Sequence, residues 1–304
     1  MLTPSLPAET SLRICLKKSS RPFSIEQIRE YRSKYRGEIY QKSKGLSYFL
    51  INKVQLEDYL LSVLGGEISP SWPKEALKAQ AVAARTYALY KAERRKEKLY
   101  DLKNDKISQV YKGKILEDER FESAILETGG EVLTYEDNLA LTPYNACCGG
   151  WTSSSYDAWS INLPYLCEIE DPFCAESPHY KWKVEINYQE LKKKLNFPVR
   201  EMIILEKDGV NFRVKKLLLI DGKGKEIRIS GKDLREKIGY DKIRSTAFNI
   251  KNGRDKVEFI GKGWGHGVGL CQWGAKKMAE EGYNYRQILR FYYPGTALSK
   301  ISNQ

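Results

Sequence analysis

Residues 56–88 read LEDYLLSVLGGEISPSWPKEALKAQAVAARTYA, and their pattern predicts two successive helices. The first carries an apolar stripe at helical spacing, formed by Leu56, Tyr59, Leu60, Val63 and Leu64. The pair Gly65-Gly66 is expected to end this helix, as glycine commonly does. The second helix is predicted to begin near Ser71, with a proline in its first turn and an alanine-rich middle. Because alanine side chains are small, we expect this helix to pack closely against a neighbour.

Glu67 stands between the two predicted helices, directly after the glycine pair and before Ile68. A carboxyl group held by two elements and flanked by apolar residues is partly buried, and burial raises its affinity for a proton. A general acid at neutral pH needs this property. The alternative interpretation is a surface glutamate in a helix-helix turn. Arg85, on the second helix, is long enough to reach a site near Glu67, although an arginine is more often a salt-bridge partner.

A second informative stretch, residues 261–275, reads GKGWGHGVGLCQWGA. If it is extended, its alternating glycines line one face, and Trp264, His266 and Val268 line the other. A face without side chains predicts that a ligand or a neighbouring backbone approaches closely. The alternative is a glycine-rich turn with a packed histidine.

The composition and charge of the chain limit the kinds of partner that it can have. The chain has 304 residues, of which 41% are hydrophobic, so it is long enough for a substantial core. Its formal charge of +12 favours a polyanionic partner, which includes nucleic acid, an anionic membrane face and an anionic cell-wall polymer. Zinc-finger spacing, RNA-binding aromatic signatures, phosphate loops and nucleophile elbows are absent from the sequence, so no nucleic-acid partner is expected. No signal peptide or membrane anchor is visible in it either.

The order of predicted elements indicates an α+β fold. We predict a strand-rich segment over residues 1–53 and the first part of a core over 54–182. A smaller α/β subdomain is then inserted over 183–251, and the second part of the core follows over 252–304. The inserted segment contains a predicted helix at Tyr188 to Leu195 between short strands.

Several blocks of the sequence together resemble the SpoIID/LytB family, the stage II sporulation protein D family. They are EDYLLSVLGGE (57–67), WPKEALKAQAVAARTY (72–87), YNACCGG (144–150), SPHYKW (177–182), GWGHGVG (263–269) and YYPGT (292–296). The blocks span most of the chain, and the string AQAVAARTY is highly specific.

The resemblance implies a peptidoglycan lytic transglycosylase that cleaves between N-acetylmuramic acid and N-acetylglucosamine in denuded glycan strands. It places the catalytic glutamate at Glu67, and no cofactor is required for this chemistry. We further predict that five residues contact the substrate: Arg85, Tyr144, Trp264, His266 and Gln272. The alternative function is a non-catalytic peptidoglycan-binding module that stimulates a cell-wall amidase. Either function implies a location in the cell envelope, on the periplasmic or extracytoplasmic side.

Cysteines suggest a further site. Of the six in the chain, Cys147, Cys148, Cys167 and Cys174 lie within one segment, which is compatible with a disulfide or with a bound metal. Many members of the family carry histidine where this chain has Asn145, and that histidine with two cysteines resembles a zinc site. The resemblance therefore implies a structural zinc held by Cys148 and Cys174, and we predict Cys167 as a third ligand. Asp171 or Cys147 is a candidate to complete the shell, and a disulfide is the alternative to the metal.

Overall fold

A computed structural model describes residues 10–95, 99–104, 109–208, 210 and 212–301 of the chain. Its helices are α1 (Ile25–Lys34), α2 (Leu56–Glu67), α3 (Lys74–Arg94), α4 (Glu119–Glu127), α5 (Ser155–Trp159), α6 (Tyr188–Leu195), α7 (Gly231–Ile238), α8 (Gln272–Glu280) and α9 (Tyr285–Tyr292). Its strands are β1 (Ser11–Ser19), β2 (Glu38–Lys44), β3 (Ser47–Gln55), β4 (Leu102–Lys103), β5 (Glu131–Tyr135), β6 (Asn138–Leu139), β7 (Tyr144–Asn145), β8 (Lys181–Asn187), β9 (Val199–Lys207), β10 (Val214–Asp221), β11 (Glu226–Ser230), β12 (Phe248–Asn252), β13 (Lys256–Lys262), β14 (Leu270–Cys271) and β15 (Ala297–Lys300). Short 3-10 turns lie at Lys114–Leu116 and Pro172–Cys174.

The structure contains both helices and several small sheets, which confirms the predicted α+β class. The described residues form two compact units. The first unit contains residues up to Pro143 and those from Met278 onward, and the second unit is Tyr144–Lys277. These limits differ from the predicted segment limits, and β8 and β13 pair with each other across the predicted boundary at residue 251. Residues 1–9 of the predicted N-terminal segment lie outside the described residues.

In the first unit, α3 is the central element. The sequence predicts a helix that packs closely against a neighbour, and α3 is in fact buried on all sides from Ala79 to Leu89. It packs against α2, α4, α9 and β5, which together surround it. A helix covered all round is mostly small and apolar, and the run of alanines meets that requirement, while its buried polar residues such as Arg85 need hydrogen-bond partners.

Two sheets complete the first unit. One has the strand order β2-β3-β1-β4, in which β1 pairs antiparallel with β3 and parallel with β4. The other has the order β15-β5-β6 and joins the last strand of the chain to the middle of the unit. α2 begins directly after β3. The first sheet therefore leads straight into the helix that ends at Glu67.

The second unit is built on the sheets β11-β10-β9 and β12-β13-β8, which share an apolar core with α6 and α7. The helix predicted at Tyr188 to Leu195 is confirmed as α6. Asn187 caps it by accepting a hydrogen bond from the Glu190 N–H (2.8 Å). A separate parallel pair, β7 with β14, aligns Cys271 with Asn145. This pairing brings the glycine-rich stretch next to the loop that follows β7 and contains Cys147 and Cys148, which we call the cysteine-rich loop.

Within the described part of the chain, none of the helices combines the length and the apolar character needed to cross a membrane.

Candidate functional site

Glu67 is the last residue of α2 and is half-buried. Its Oε1 accepts a hydrogen bond from the Val110 backbone N–H (3.0 Å). An amide donor at this distance fixes the direction in which the carboxyl group points. Glu67 is therefore an oriented side chain on a rigid element, unlike a glutamate in a solvated turn.

The glycine pair before Glu67 does not end the helix, contrary to the sequence prediction. α2 continues through Gly65 and Gly66, and its C-cap is Ile68 in an extended conformation. The reason for glycine at position 66 is packing: a Cβ there would lie 2.6 Å from the Val110 carbonyl oxygen and 2.9 Å from Val110 Cγ1. Gly66 thus permits the close approach of the same residue whose N–H binds Glu67.

The segment 109–113, which carries Val110, is held against α2 at several points. The Ser62 hydroxyl accepts hydrogen bonds from the backbone N–H groups of Lys112 (3.1 Å) and Gly113 (2.7 Å). The Tyr59 hydroxyl donates to Gln109 Oε1 (2.9 Å). Three consecutive turns of one helix therefore bind this segment, and the Glu67 carboxyl group is positioned by the last of these contacts.

Arg85, predicted to contact substrate, is instead fully buried in the first unit. Its guanidinium donates to both carboxylate oxygens of Glu57 (2.9 and 2.8 Å) and to the carbonyl oxygens of Glu131 (3.2 Å) and Ile125 (3.3 Å). These partners lie on α2, β5 and α4. A buried guanidinium needs such partners to offset its lost hydration. Arg85 therefore ties the elements around α3 together.

The glycine-rich stretch of the second unit is not a strand with one bare face. β13 ends at Lys262, and Gly263, Gly265, Gly267 and Gly269 all have positive φ. The expectation of a close neighbour is nevertheless met, because a Cβ on Gly265 would lie 2.6 Å from Asn145 Cβ. Alternating positive φ values make the stretch an irregular ribbon that only glycine adopts without strain.

Arg213 is the neighbour that leaves no room for a side chain at position 267 and so requires glycine there. A Cβ on Gly267 would overlap the Arg213 guanidinium, and Arg213 is buried. This group donates to the carbonyl oxygens of Cys148 (3.0 Å) and Gly265 (3.4 Å). Burial lowers the pKa of Arg213, whereas Cys148 and Asp208 oppose that shift. The ribbon and the cysteine-rich loop are thus joined by one buried cation.

His266 lies in the ribbon with its ring held by backbone groups. Its Nδ1 accepts a hydrogen bond from the Val268 N–H (3.0 Å), and the ring also bonds to the Tyr144 backbone. The Trp159 ring meets it edge-on, with centroids 5.2 Å apart. An Nδ1 that accepts a hydrogen bond carries no proton, so the imidazole is the neutral Nε2–H tautomer.

We expect His266 to stay neutral in mildly acidic solution. Burial, reinforced by the charges of Arg213 and Arg235, lowers its pKa from 6.5 to about 3. Because the folded pKa lies below the unfolded one, the stability that neutral His266 contributes is complete above about pH 6.5 and is lost as the pH falls toward 3. Proton NMR of the two histidines, assigned with His179→Gln, checks this. A His266 titration midpoint near its ordinary value would contradict it.

The other predicted substrate contacts also belong to the second unit. Tyr144, on β7, and Trp264, in the ribbon, are partly exposed, whereas Gln272 is 3% exposed at the start of α8. The Trp264 backbone exchanges two hydrogen bonds with Cys147 (3.1 and 2.8 Å). Tyr144, Trp264 and His266 therefore gather around the β7–β14 pair, and the burial of Gln272 leaves little of it for a ligand to touch.

Four buried side-chain atoms that could bind a metal ion lie together beside the β7–β14 pair. The Sγ atoms of Cys148, Cys174 and Cys271 and a carboxylate oxygen of Asp171 all lie within 4.8 Å of one another. Cys148 Sγ lies 3.0 Å from Asp171 Oδ2 and 3.5 Å from Cys174 Sγ. The group is assembled from the loop after β7, the 3-10 turn at Pro172–Cys174 and β14.

This cluster differs from the ligand set expected from the sequence. Cys148 and Cys174 are in it, but Cys167 is not: its carbonyl oxygen accepts from the Thr152 hydroxyl (3.0 Å) in a neighbouring loop. Cys271 replaces it, although in sequence Cys271 stands alone. Asn145 does not join either, because its Nδ2 donates to the carbonyl oxygens of Val268 (3.4 Å) and Leu270 (3.3 Å).

The chemistry of the cluster fits a thiophilic metal such as zinc. Burial raises the pKa of the Cys148 and Cys271 thiols, while hydrogen bonds from Cys147, Cys148 and Cys271 lower the pKa of Cys174. The three thiols of the cluster lie close enough to share protons, which a divalent cation displaces on binding. Three thiolates and a carboxylate are ordinary zinc ligands, and the four atoms are close enough to share one ion after small side-chain shifts.

Comparison with known proteins agrees with the arrangement of motifs. A family model described as stage II sporulation protein matches residues 44–135, and a model for a domain of unknown function matches residues 164–269. The chain is 30% identical over 275 residues to Stage II sporulation protein D of Bacillus amyloliquefaciens, covering 83% of this chain and 76% of that protein. It is 37% identical over 253 residues to a Brachyspira hyodysenteriae protein whose name states no function, covering 81% and 67%. It is also 30% identical over 292 residues to the Amidase enhancer of Bacillus subtilis, covering 79% of this chain and 40% of that protein.

Proposed function

Because this chain belongs to the stage II sporulation protein D family, we propose that it is a peptidoglycan lytic transglycosylase. The bond that it cleaves joins N-acetylmuramic acid to N-acetylglucosamine in strands stripped of their stem peptides. The observation that carries the proposal is Glu67, a half-buried carboxyl group at the end of a helix, oriented by the Val110 N–H (3.0 Å). A single carboxyl group held in this way is the group that lytic cleavage requires.

The reaction needs one group that first gives and then takes a proton. Glu67 in its neutral form donates a proton to the glycosidic oxygen as the bond from that oxygen to C1 of the muramic acid breaks. The 6-hydroxyl group of the same sugar then attacks C1, and its proton passes to the Glu67 carboxylate. The product is a 1,6-anhydro end, and the carboxyl group returns to its initial state without water. The second carboxylate of an ordinary glycosidase is therefore unnecessary.

The charge of the chain supports a denuded strand as substrate. Removal of a stem peptide exposes the lactyl carboxylate of each muramic acid, so the strand becomes a polyanion. A protein with a formal charge of +12 attracts such a strand over distances of about a Debye length. This substrate places the protein in the cell envelope, outside the cytoplasm.

A second function is favoured by one relative. The Bacillus subtilis protein named Amidase enhancer shares 30% identity with this chain, in a match that covers 79% of this chain and 40% of that protein. In this alternative the chain binds peptidoglycan without cutting it and stimulates a cell-wall amidase. Incubation of the purified chain alone with denuded strands separates the two functions: a lytic transglycosylase releases soluble sugars, and an enhancer without activity of its own releases none.

We also propose that Cys148, Asp171, Cys174 and Cys271 hold a structural zinc ion. Four protein ligands leave no open position for water or substrate, so the metal would stabilise the second unit and take no part in bond cleavage. The buried Arg213 guanidinium, bonded to the Cys148 carbonyl oxygen, offsets part of the negative charge of three thiolates and a carboxylate.

A further inference from the structure

A row of aromatic and cationic side chains lies on the second unit, and the proposed cleavage chemistry does not use it. The Arg244 guanidinium covers the Trp264 ring at 4.9 Å, and the His179 ring meets Trp264 edge-on at 4.6 Å. His179 also meets Trp273 edge-on at 6.1 Å, and the Lys276 ammonium lies 5.2 Å from the Trp273 ring. All five side chains are partly exposed. The row thus places the flat rings of Trp264, His179 and Trp273 between the positive charges of Arg244 and Lys276.

The row is held on a rigid base. The Gly265 N–H donates to the Arg244 carbonyl oxygen (2.9 Å), and the Trp273 N–H donates to the carbonyl oxygen of Ala146 (3.1 Å). Trp264 is paired through its backbone with Cys147. Three of the five residues are therefore fixed by the ribbon and the cysteine-rich loop, close in sequence to the cluster residues Cys148 and Cys271. A surface prepared in this way loses little conformational entropy when it binds a ligand.

Arg244 has no acidic partner within the described part of the chain. Among the described residues, no carboxylate forms an ion pair with it. The hydrogen bond between Arg235 and Arg244 uses the Arg244 carbonyl oxygen, and the Arg244 guanidinium lies on the Trp264 ring. His179, beside it, has an Nδ1 that is buried and has no hydrogen-bond partner within the part of the chain that the structure describes. A positive group stacked on an aromatic ring, without an acidic partner, suits an anionic ligand that also has an apolar face.

We propose that this row is a glycan subsite that selects strands with free lactyl carboxylates, an inference that rests on the proposed glycan substrate. Trp264 and Trp273 contact the apolar faces of sugar rings, which are lined with C–H groups. Arg244 pairs with the carboxylate of a muramic acid, and Lys276 adds positive charge at the other end of the row. A strand that still carries stem peptides has an amide in place of that carboxylate and lacks the ion pair. Arg244 is thus a specificity-determining residue for denuded glycan.

The test measures binding, separately from cleavage. The probes are a denuded oligosaccharide of alternating N-acetylglucosamine and N-acetylmuramic acid and a chitooligosaccharide of equal length, which has no carboxylate. Both are titrated by calorimetry into Glu67→Gln protein, which does not consume them. We expect the denuded probe to bind more tightly, and this preference to weaken with added salt.

Variants of the row assign the preference to residues. Arg244→Gln is expected to reduce the affinity for the denuded probe about tenfold, with little change for the neutral probe, since a hydrogen bond to a charged group is lost. Arg244→Lys should retain part of the preference. Trp273→Ala is expected to weaken both probes by similar factors. Arg200→Gln is the matched control, because Arg200 also covers a ring, that of Tyr188 at 5.5 Å, elsewhere in the same unit.

Two results would overturn the subsite. One is an Arg244→Gln protein with unchanged preference and native circular dichroism, and the other is equal loss for both probes. Neither result affects the proposed function if the native chain still cleaves denuded strands. Conversely, a chain that binds through Arg244 but cleaves nothing leaves the subsite standing and removes the transglycosylase proposal.

Discussion

Replacing Glu67 by glutamine is expected to lower the rate of anhydro-sugar release from denuded glycan by about 10²–10⁴-fold, the usual contribution of a positioned acid-base group. Glutamine has nearly the same shape, and its side-chain oxygen can still accept the Val110 N–H, so the fold and glycan binding should persist. What is lost is the proton that the carboxyl group gives and takes. Liquid chromatography with mass spectrometry of the digest measures the effect.

Glu127→Gln is the matched control for this experiment. Glu127 also ends a helix of the first unit, α4, but its ion-pair partners are Lys74 and Lys78, and its own side chain is exposed. Its replacement should leave the cleavage rate within about twofold, because exposed ion pairs contribute little. Full activity in Glu67→Gln protein with a native circular dichroism spectrum would remove Glu67 from the reaction.

Loss of a cluster cysteine is expected to have the largest effect on stability. Cys271→Ser and Cys174→Ser should each reduce bound zinc from about one ion per chain to nearly none and lower the melting temperature of the second unit strongly. The reason is that structural zinc sites contribute on the order of 10 kcal/mol to folding. Elemental analysis by plasma mass spectrometry and thermal unfolding with and without a chelator measure both quantities.

Cys167→Ser discriminates between the ligand set expected from the sequence and the one in the structure. Cys167 lies outside the four converging atoms, so its replacement should leave zinc content and melting temperature unchanged. Zinc loss in Cys167→Ser but not in Cys271→Ser would reverse the assignment. Native protein that contains no metal, and whose mass is lower by two hydrogens, would instead identify a disulfide.

Local patterns in the sequence predicted much of the secondary structure. The apolar stripe from Leu56 to Leu64, the alanine-rich helix and α6 all follow from spacing within a single element, since each depends on near neighbours. The end of α2 was predicted wrongly, because glycines that usually terminate helices serve here to admit Val110. That role depends on a segment more than forty residues away, which no local pattern reveals.

The site was harder to predict for the same reason. Cys271 appears isolated in the sequence, and it reaches Cys148 only because β14 pairs in parallel with β7. Arg85 lies in a specific family motif, but its burial and its bidentate bond to Glu57 come from the packing around α3. Glu67 was the exception, since its position between two helices already predicted a constrained carboxyl group. Its role in catalysis stays a proposal.

The central claim is that Glu67 cleaves glycan without adding water, and digestion of denuded strands in water enriched in the heavy isotope of oxygen tests it most directly. We predict that every new muramic acid end is a 1,6-anhydro sugar without label, and that Glu67→Gln protein forms such ends about 10²–10⁴-fold more slowly. New reducing ends that carry one heavy oxygen atom would show hydrolysis and contradict the account.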